Sequence, residues 1–239
     1  MKFIINTHIS YRKPLLTFFE SVRDSDLKRE LWKNIIVVDN DTEKSAPRLI
    51  SLKEILDTDI EMQVVHVGNE FNSYEMGSYN ILNIYNEHEL IRDDQYFMLH
   101  DTVILRHNFY EVISSFFDDK FKDKIIQYKP ANSNIRIIGD KHVKEYGLQY
   151  NRPFSKEEAI CIELDSNSKS FSTDDMYSFN THEDTICFGD APRTGRKSIY
   201  TKSIRRRVIA MEKFALEKYV LYGWRNEFSD KQITRNIMD

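Results

Sequence analysis

Apolar and polar positions fall into blocks along this chain, and the blocks repeat with a rhythm. Phe3–Asn6 is a short apolar run that reads as a first strand and passes into Thr7-His8-Ile9-Ser10. Pro14 suits the first turn of a helix, and Leu15, Leu16, Phe18, Phe19 and Val22 recur at helical spacing. Leu27–Trp32 reads as a further short helical turn. Asn34–Val38 is continuous and β-branched, the pattern of a strand buried on both faces, and it ends in Asp39-Asn40-Asp41-Thr42. Leu49–Leu56 predicts a helix, and Met62–Val67 a third strand that stops at Gly68-Asn69. Asn72-Ser73-Tyr74-Glu75 has the spacing of a capping box and opens a helix expected to run to about Leu90. Tyr96–Leu99 is a fourth strand, broken by His100-Asp101-Thr102 before the apolar Val103-Ile104-Leu105. Strand and helix alternate through the first hundred residues, which predicts a mostly parallel sheet with helices on both faces.

Beyond Leu105 the order changes. Asn108-Phe109-Tyr110-Glu111 is a second capping-box pattern, opening a helix to about Phe117, and Lys124–Tyr128 and Asn134–Ile138 read as strands. Ser155-Lys156-Glu157-Glu158 is a third such pattern, but the run behind it is short, and Ala159–Leu164 alternates as a strand would. Ser166–Phe179, rich in Ser, Asp and Asn, reads as a loop. Ile204, Val208, Met211, Ala215 and Tyr219 form a stripe that predicts a basic C-terminal helix. No internal repeat or linker interrupts the chain. The expectation is one domain over 1–239, with a first half at 1–105 and a second at 106–239.

Composition narrows the class. With 239 residues the chain can bury one sizeable core. The net charge of -4, with both signs mixed, gives no global reason to expect a nucleic-acid partner. Cys161 and Cys187 are the only cysteines, without a CxxC, so a reducing compartment is expected. The opening apolar run is too short for a signal peptide, and no stretch approaches the roughly 20 apolar residues that span a bilayer. A cytoplasmic protein, at most peripheral at a membrane, is the resulting expectation.

The candidate chemistry lies where strands end. Thr7-His8, Asp39-Asn40-Asp41 and His100-Asp101-Thr102 each follow a predicted strand, and parallel strands bring such ends to one edge, where ligands of open α/β sheets collect. Polar residues after a strand also simply begin loops; three in one series favour a site. Further on, Thr181-His182-Glu183-Asp184 is a cluster with two acids, with Asp174-Asp175 and then Asp190 as further acids. Arg193-Thr194-Gly195-Arg196-Lys197, continuing through Lys202, Arg205, Arg206 and Arg207, is the strongest charge feature. Its alternative reading is an ordinary solvated basic face.

INTHISYRKPLLTFFESV, IIVVDND, VGNEFNSYEMGSYN and FMLHDTVILRHNFYEVI, taken in order over roughly the first 115 residues, resemble the nucleotide-sugar-binding half of a GT-A fold glycosyltransferase, near the inverting family 2. The resemblance implies a Rossmann-like mixed, mostly parallel sheet flanked by helices, with a C-terminal acceptor-side lobe. It implies a hexosyltransferase-like enzyme of polysaccharide biosynthesis, moving a sugar from a nucleotide-sugar donor, with UDP favoured, to a saccharide or lipid-linked acceptor. Carried onto this chain, Thr7, His8 and Asp39 would meet the nucleotide base, and Glu75 and Gly77 would adjoin the donor diphosphate. His100-Asp101-Thr102 stands where the family has its metal-binding DxD motif, and keeps only the middle Asp. A divalent cation, Mn²⁺ or Mg²⁺, would be held by His100 and Asp101 with His182. Glu183 or Asp184 would be the general base that an inverting transfer needs. Arg193 and Arg196 would neutralise the leaving diphosphate, or segment 193–207 would lie on an anionic membrane surface. The damaged DxD leaves two other readings open: a catalytically inactive module that binds nucleotide or saccharide, and a nucleotidyltransferase, which would want a Gly-rich loop where Thr7–Tyr11 has none.

Overall fold

Each apolar run that ends in polar residues forms a strand of one sheet. The computed structural model describes residues 1–9, 12–70, 77–129, 135–149, 183–190, 193–194 and 207–220. β1 (Lys2–Thr7) is followed by α1 (Arg12–Asp24), a 3-10 turn (Arg29–Asn34) and β2 (Ile35–Asp39). β3 (Arg48–Ser51), α2 (Leu52–Leu56), β4 (Gln63–Gly68), α3 (Gly77–Ile84) and β5 (Gln95–His100) come next. After the turn at Asp101-Thr102 come β6 (Val103–Leu105), α4 (Phe109–Ser114), β7 (Ile125–Lys129), β8 (Arg136–Gly139) and α5 (Asp140–Gln149). β9 (Thr185–Asp190), β10 (Arg193–Thr194), β11 (Arg207–Met211) and β12 (Leu216–Val220) complete the described chain.

The main sheet has eight strands in the order β3-β4-β2-β1-β5-β8-β7-β9. β4, β2, β1 and β5 run parallel to one another, β8 runs against β5 and β7, and β9 is parallel to β7. β7 and β9 therefore point the same way as β5. The sheet is mixed and mostly parallel, with helices on both faces, as the sequence predicts.

Alternation along each strand separates two cores. Phe3, Ile5, Ile35, Val37, Phe97 and Leu99 face α1 and its Leu15, Phe18, Phe19 and Val22, while Ile4, Ile36, Val38, Tyr96 and Met98 face α3 and α5 with Tyr79, Ile81, Leu82 and Val143. All five residues of β2 are buried, which explains its unbroken β-branched run. A second sheet, β10-β11-β12-β6, packs onto the α1 side, contributing Val103, Leu105, Ile209, Met211 and Leu216 to that core. The polar break at His100-Asp101-Thr102 is where the chain leaves the first sheet for the second.

Several local expectations are corrected. The stripe from Ile204 to Tyr219 is no C-terminal helix where the chain is described: Arg207–Met211 and Leu216–Val220 are antiparallel strands. Ala215, in the left-handed region at φ 49°, makes the turn between them. β-branched Val208 and Ile209 fit a strand better than a helix, and the helical spacing was coincidence. Leu49–Leu56 divides into β3 and α2, because Ser51 caps the helix there: its hydroxyl accepts from Lys53 N at 3.3 Å, and Glu54 accepts from Ser51 N at 3.1 Å. The pattern at Asn72–Glu75 and the elements expected over 155–179 lie outside the described residues.

α4 starts where predicted, but Asn108 makes no side-chain cap. The carboxylate of Asp26 does the work instead, accepting from Tyr110 N at 2.5 Å and Glu111 N at 2.9 Å. Removal of Asp26 by Asp26→Ala is expected to lower the unfolding free energy by about 1 kcal/mol, the typical value of an N-terminal cap. Asn108→Ala is expected to change it by less than about 0.5 kcal/mol. Urea denaturation of the two variants distinguishes the assignments.

Candidate functional site

The carboxyl ends of β1, β2, β4 and β5 meet along one edge of the main sheet, and their polar residues bond to one another across it. Register pairs Thr7 with Asp39 and Asn6 with His100. The Thr7 hydroxyl donates to Asp101 Oδ2 at 2.8 Å in a buried bond. Asp39 and Asp101 thus flank the same threonine.

Asp39 is completely buried and its carboxylate is fully engaged. Oδ1 accepts from Ile9 N at 3.2 Å and Asp41 N at 3.0 Å; Oδ2 accepts from the Thr42 hydroxyl and lies 3.5 Å from His66 Nε2. Burial by itself would raise its pKa, but the bonds from His66, Thr42, Asp41 and Ile9 outweigh it and hold the carboxyl below the usual range. Asp39 was expected to meet a nucleotide base. Here it ties together the loops after β1 and β2, a positioning role, and it presents no surface of its own.

On the opposite face of the same edge, three asparagines form a chain. Asn40 Nδ2 donates to Asn6 Oδ1 at 2.8 Å and to Thr7 O at 3.2 Å, and Asn69 Nδ2 donates to Asn40 Oδ1 at 2.7 Å. Asn69 N also donates to Asp39 O at 2.8 Å. Gly68 lets the loop of Glu43–Ser45 close against β4: a Cβ there would stand 2.2 Å from Glu43 O. Gly77, the first residue of α3, is buried beside Ser78 and Asn80, whose side chains are also fully enclosed. α3 follows β4 and packs on β1 and β2, so its amino end comes to this edge. His8, half-buried, bonds through Nδ1 to Asp41 Oδ1 at 2.7 Å on the rim.

Asp101 and His100 occupy the end of β5. Asp101 is buried, and desolvation pushes its carboxyl up to about 6 against the opposing pull of Thr7, His8 and Lys218. Burial, with the nearby cations Lys218 and Arg136, pushes the His100 imidazole well below its ordinary value and keeps it neutral. Neither cation belonged to the sequence-predicted site. Arg136 lies in the middle of an apolar run, and Lys218 in a stretch that read as helix.

The remaining candidates are dispersed. Asp184 precedes β9, so it stands at the amino edge of the sheet, opposite the site. There its Oδ1 accepts from Lys124 Nζ at 2.7 Å, with Lys141 at 3.8 Å and His142 at 3.6 Å from Oδ2. The bond from Lys124 holds its pKa below the usual range. Glu183 shares that edge and is exposed. Both were expected as general bases; a polar cluster ahead of a strand reads in sequence like one behind it, and this one leads into β9. Asp190, at the carboxyl end of β9 opposite Lys129, shares the edge of His100 and Asp101. Arg193 opens β10, paired with Ile209. Glu75, His182, Arg196 and Asp174-Asp175 lie outside the described residues.

The described part of this donor set fits a divalent ion poorly. Among the described residues the end of β5 offers one carboxylate, Asp101, and one neutral imidazole, His100, and hard ions such as Mg²⁺ want several oxygen ligands. Among the described residues no three His, Cys, Asp or Glu side chains converge as a metal site. No helix there is long and apolar enough to cross a membrane.

No protein-family model matches this chain, and no curated protein does. Among solved structures, TarS 1-349 of S. aureus is similar at 14% identity and a TM-score of 0.43, over 67% of this chain and 53% of that one. The same piece in complex with UDP gives 13% identity and 0.42 over 70% and 54%; a further TarS structure gives 12% and 0.42 over 61% and 29%. The matched region spans about half of the two shorter TarS structures and less of the third.

The raised pKa of Asp101 has a consequence for stability. An aspartate whose folded pKa lies above its unfolded value favours the folded state while both forms are protonated. That advantage is lost as the pH rises through the folded pKa. Asp101→Asn is therefore expected to be more stable than the native chain at pH 7.5, by on the order of 3 kcal/mol at most, and to lose that advantage near pH 4. Thermal unfolding of both proteins across this window checks the sign.

Proposed function

We propose that this chain is a glycosyltransferase that takes a sugar from a nucleotide-sugar donor, a UDP-sugar in the favoured case, and passes it to a saccharide or lipid-linked hydroxyl. The observation that carries the reading is the buried Thr7–Asp101 bond between neighbouring parallel strands. It joins polar strand ends on the edge where open α/β sheets hold nucleotides, in the order and spacing that resemble the GT-A pattern.

In such a transfer the acceptor oxygen attacks the anomeric carbon as the bond from that carbon to the diphosphate breaks. The bonding pair leaves with the diphosphate, and the acceptor proton passes to a base; one displacement inverts the anomeric centre. The chain's own residues supply three things. The Asp39 and asparagine networks fix the loops at the carboxyl ends of β1, β2 and β4. The amino end of α3 at Gly77 offers backbone N–H groups to a diphosphate. Asp190, at the carboxyl end of β9, is on the correct edge to take the acceptor proton, in place of Glu183 or Asp184. A binding module without turnover is the second reading, favoured by the lone carboxylate of His100-Asp101-Thr102.

The two readings separate by experiment. UDP, GDP, CMP and dTDP are titrated in a thermal-shift assay, where a saturating ligand is expected to add roughly 2–4 kcal/mol of stability. Hydrolysis of the corresponding nucleotide-sugar is measured alongside. Stabilisation with turnover that falls in Asp190→Asn supports the enzyme, and stabilisation without turnover supports the module. No stabilisation by any of these nucleotides removes the enzyme and the nucleotide-binding form of the module.

A further inference from the structure

Asn80 stands in the first turn of α3 and is wholly enclosed, at 0% exposure. Among the described residues neither its Nδ2 nor its Oδ1 has a hydrogen-bond partner. A buried amide left unbonded costs stability, and Asn is a poor helix former besides. Its neighbours Tyr79, Ile81 and Leu82 belong to the core that α3 shares with the sheet and α5. At roughly 3.6 residues per turn Asn80 falls on the opposite flank of the helix, in line with Gly77 three residues earlier. Helical side chains lean toward the amino terminus. The amide of Asn80 therefore leans over Gly77, which has no side chain to cover it, at the end of α3 that comes to the carboxyl edge of the sheet.

We propose that Asn80 binds two neighbouring hydroxyls of the nucleotide-sugar, Oδ1 accepting from one and Nδ2 donating to the other. The inference rests on reading this edge as a nucleotide-sugar site and names a residue that sets its specificity. The donor and acceptor inventory decides the class of ligand. An ionised phosphate only accepts, so it would satisfy Nδ2 and set negative charge against Oδ1. Each hydroxyl both donates and accepts, so a pair of them satisfies both atoms. A base edge also offers a donor and an acceptor, but the base is a whole ribose away from the diphosphate. Asn80 is one helical turn from Gly77, where the diphosphate is placed, and the groups joined directly to a diphosphate are the ribose and the transferred sugar. A ligand that lacks one hydroxyl leaves the enclosed amide unmet, which makes such a contact selective.

Calorimetric titration of the full chain with UDP, 2′-deoxy-UDP and UDP-glucose tests this, alongside thermal unfolding without ligand. The variants are Asn80→Leu, which keeps the shape and removes the polar atoms, and Asn80→Ala, which adds no bulk. Without ligand Asn80→Leu is expected to unfold no lower than the native chain, because it removes an unbonded amide. With ligand both variants are expected to lose about tenfold in affinity, and selectively. A loss for UDP but not for 2′-deoxy-UDP assigns the hydroxyls to the ribose, and a loss for UDP-glucose but not for UDP assigns them to the sugar. Affinity unchanged for all three ligands, or falling equally for all three as the variants lose stability, overturns the inference and leaves the proposed function standing. No binding of any of the three by the native chain overturns the inference together with the UDP-sugar form of the proposed function.

Discussion

The hydrogen bond from Thr7 to Asp101 is the constraint on which the site depends. Parallel strands align their ends only approximately, and loops leaving them can diverge. Here one buried donor and one buried acceptor, 94 residues apart in sequence, hold the end of β1 to the end of β5 at 2.8 Å. An unsatisfied buried partner would cost about 1–3 kcal/mol, so the pairing resists separation. Asp39 continues the same logic outward. Its two oxygens gather Ile9, Asp41, Thr42 and His66, which freezes the loops on either side of Thr7. The asparagine chain does so on the other face of the sheet. The edge is preorganised by polar bonds that the apolar core below it could not supply.

That rigidity carries an electrostatic cost which bears on function. Asp101 is enclosed far enough for its carboxyl to be pushed up to about 6, and His100 is kept neutral. A strand end in that state is weakly anionic. Burial, joined by two cations, Lys218 from the second sheet and Arg136 from the first, holds the His100 imidazole below its ordinary value. The chain passes from the first sheet to the second at Asp101-Thr102, and β6 just beyond that turn pairs with β12, Val103 opposite Lys218.

Much of this was legible in the sequence. Ile35–Asp39 and Gln95–His100 announce themselves as apolar runs with polar ends, and the mixed, mostly parallel sheet follows from their alternation with helices. The placing of Asp39 and Asp101 on one edge, either side of Thr7, follows from parallel order alone. What failed, failed for identifiable reasons. Thr185–Asp190 was missed as a strand, so the sequence did not show that Glu183 and Asp184 precede it at the far edge, where Asp184 pairs with Lys124 and Lys141. The residues from Arg207 to Val220 mimic a helical period although they form a hairpin turned at Ala215. Arg136 and Lys218 leave no signal in sequence, because their meaning comes from cross-strand neighbours. Asp26 is of the same kind: it caps α4 from 84 residues away.

The most direct measurement of the central claim is a backbone-amide NMR titration of the chain with UDP. The account predicts that the perturbed amides cluster at Thr7, His8, Asp39 to Asp41, Asn69, Gly77 and His100 to Thr102, while Lys124, Lys141 and Asp184 at the far edge remain still. Perturbation centred on Asp184 and its lysines, or spread without reference to the carboxyl ends of β1, β2, β4 and β5, would contradict it.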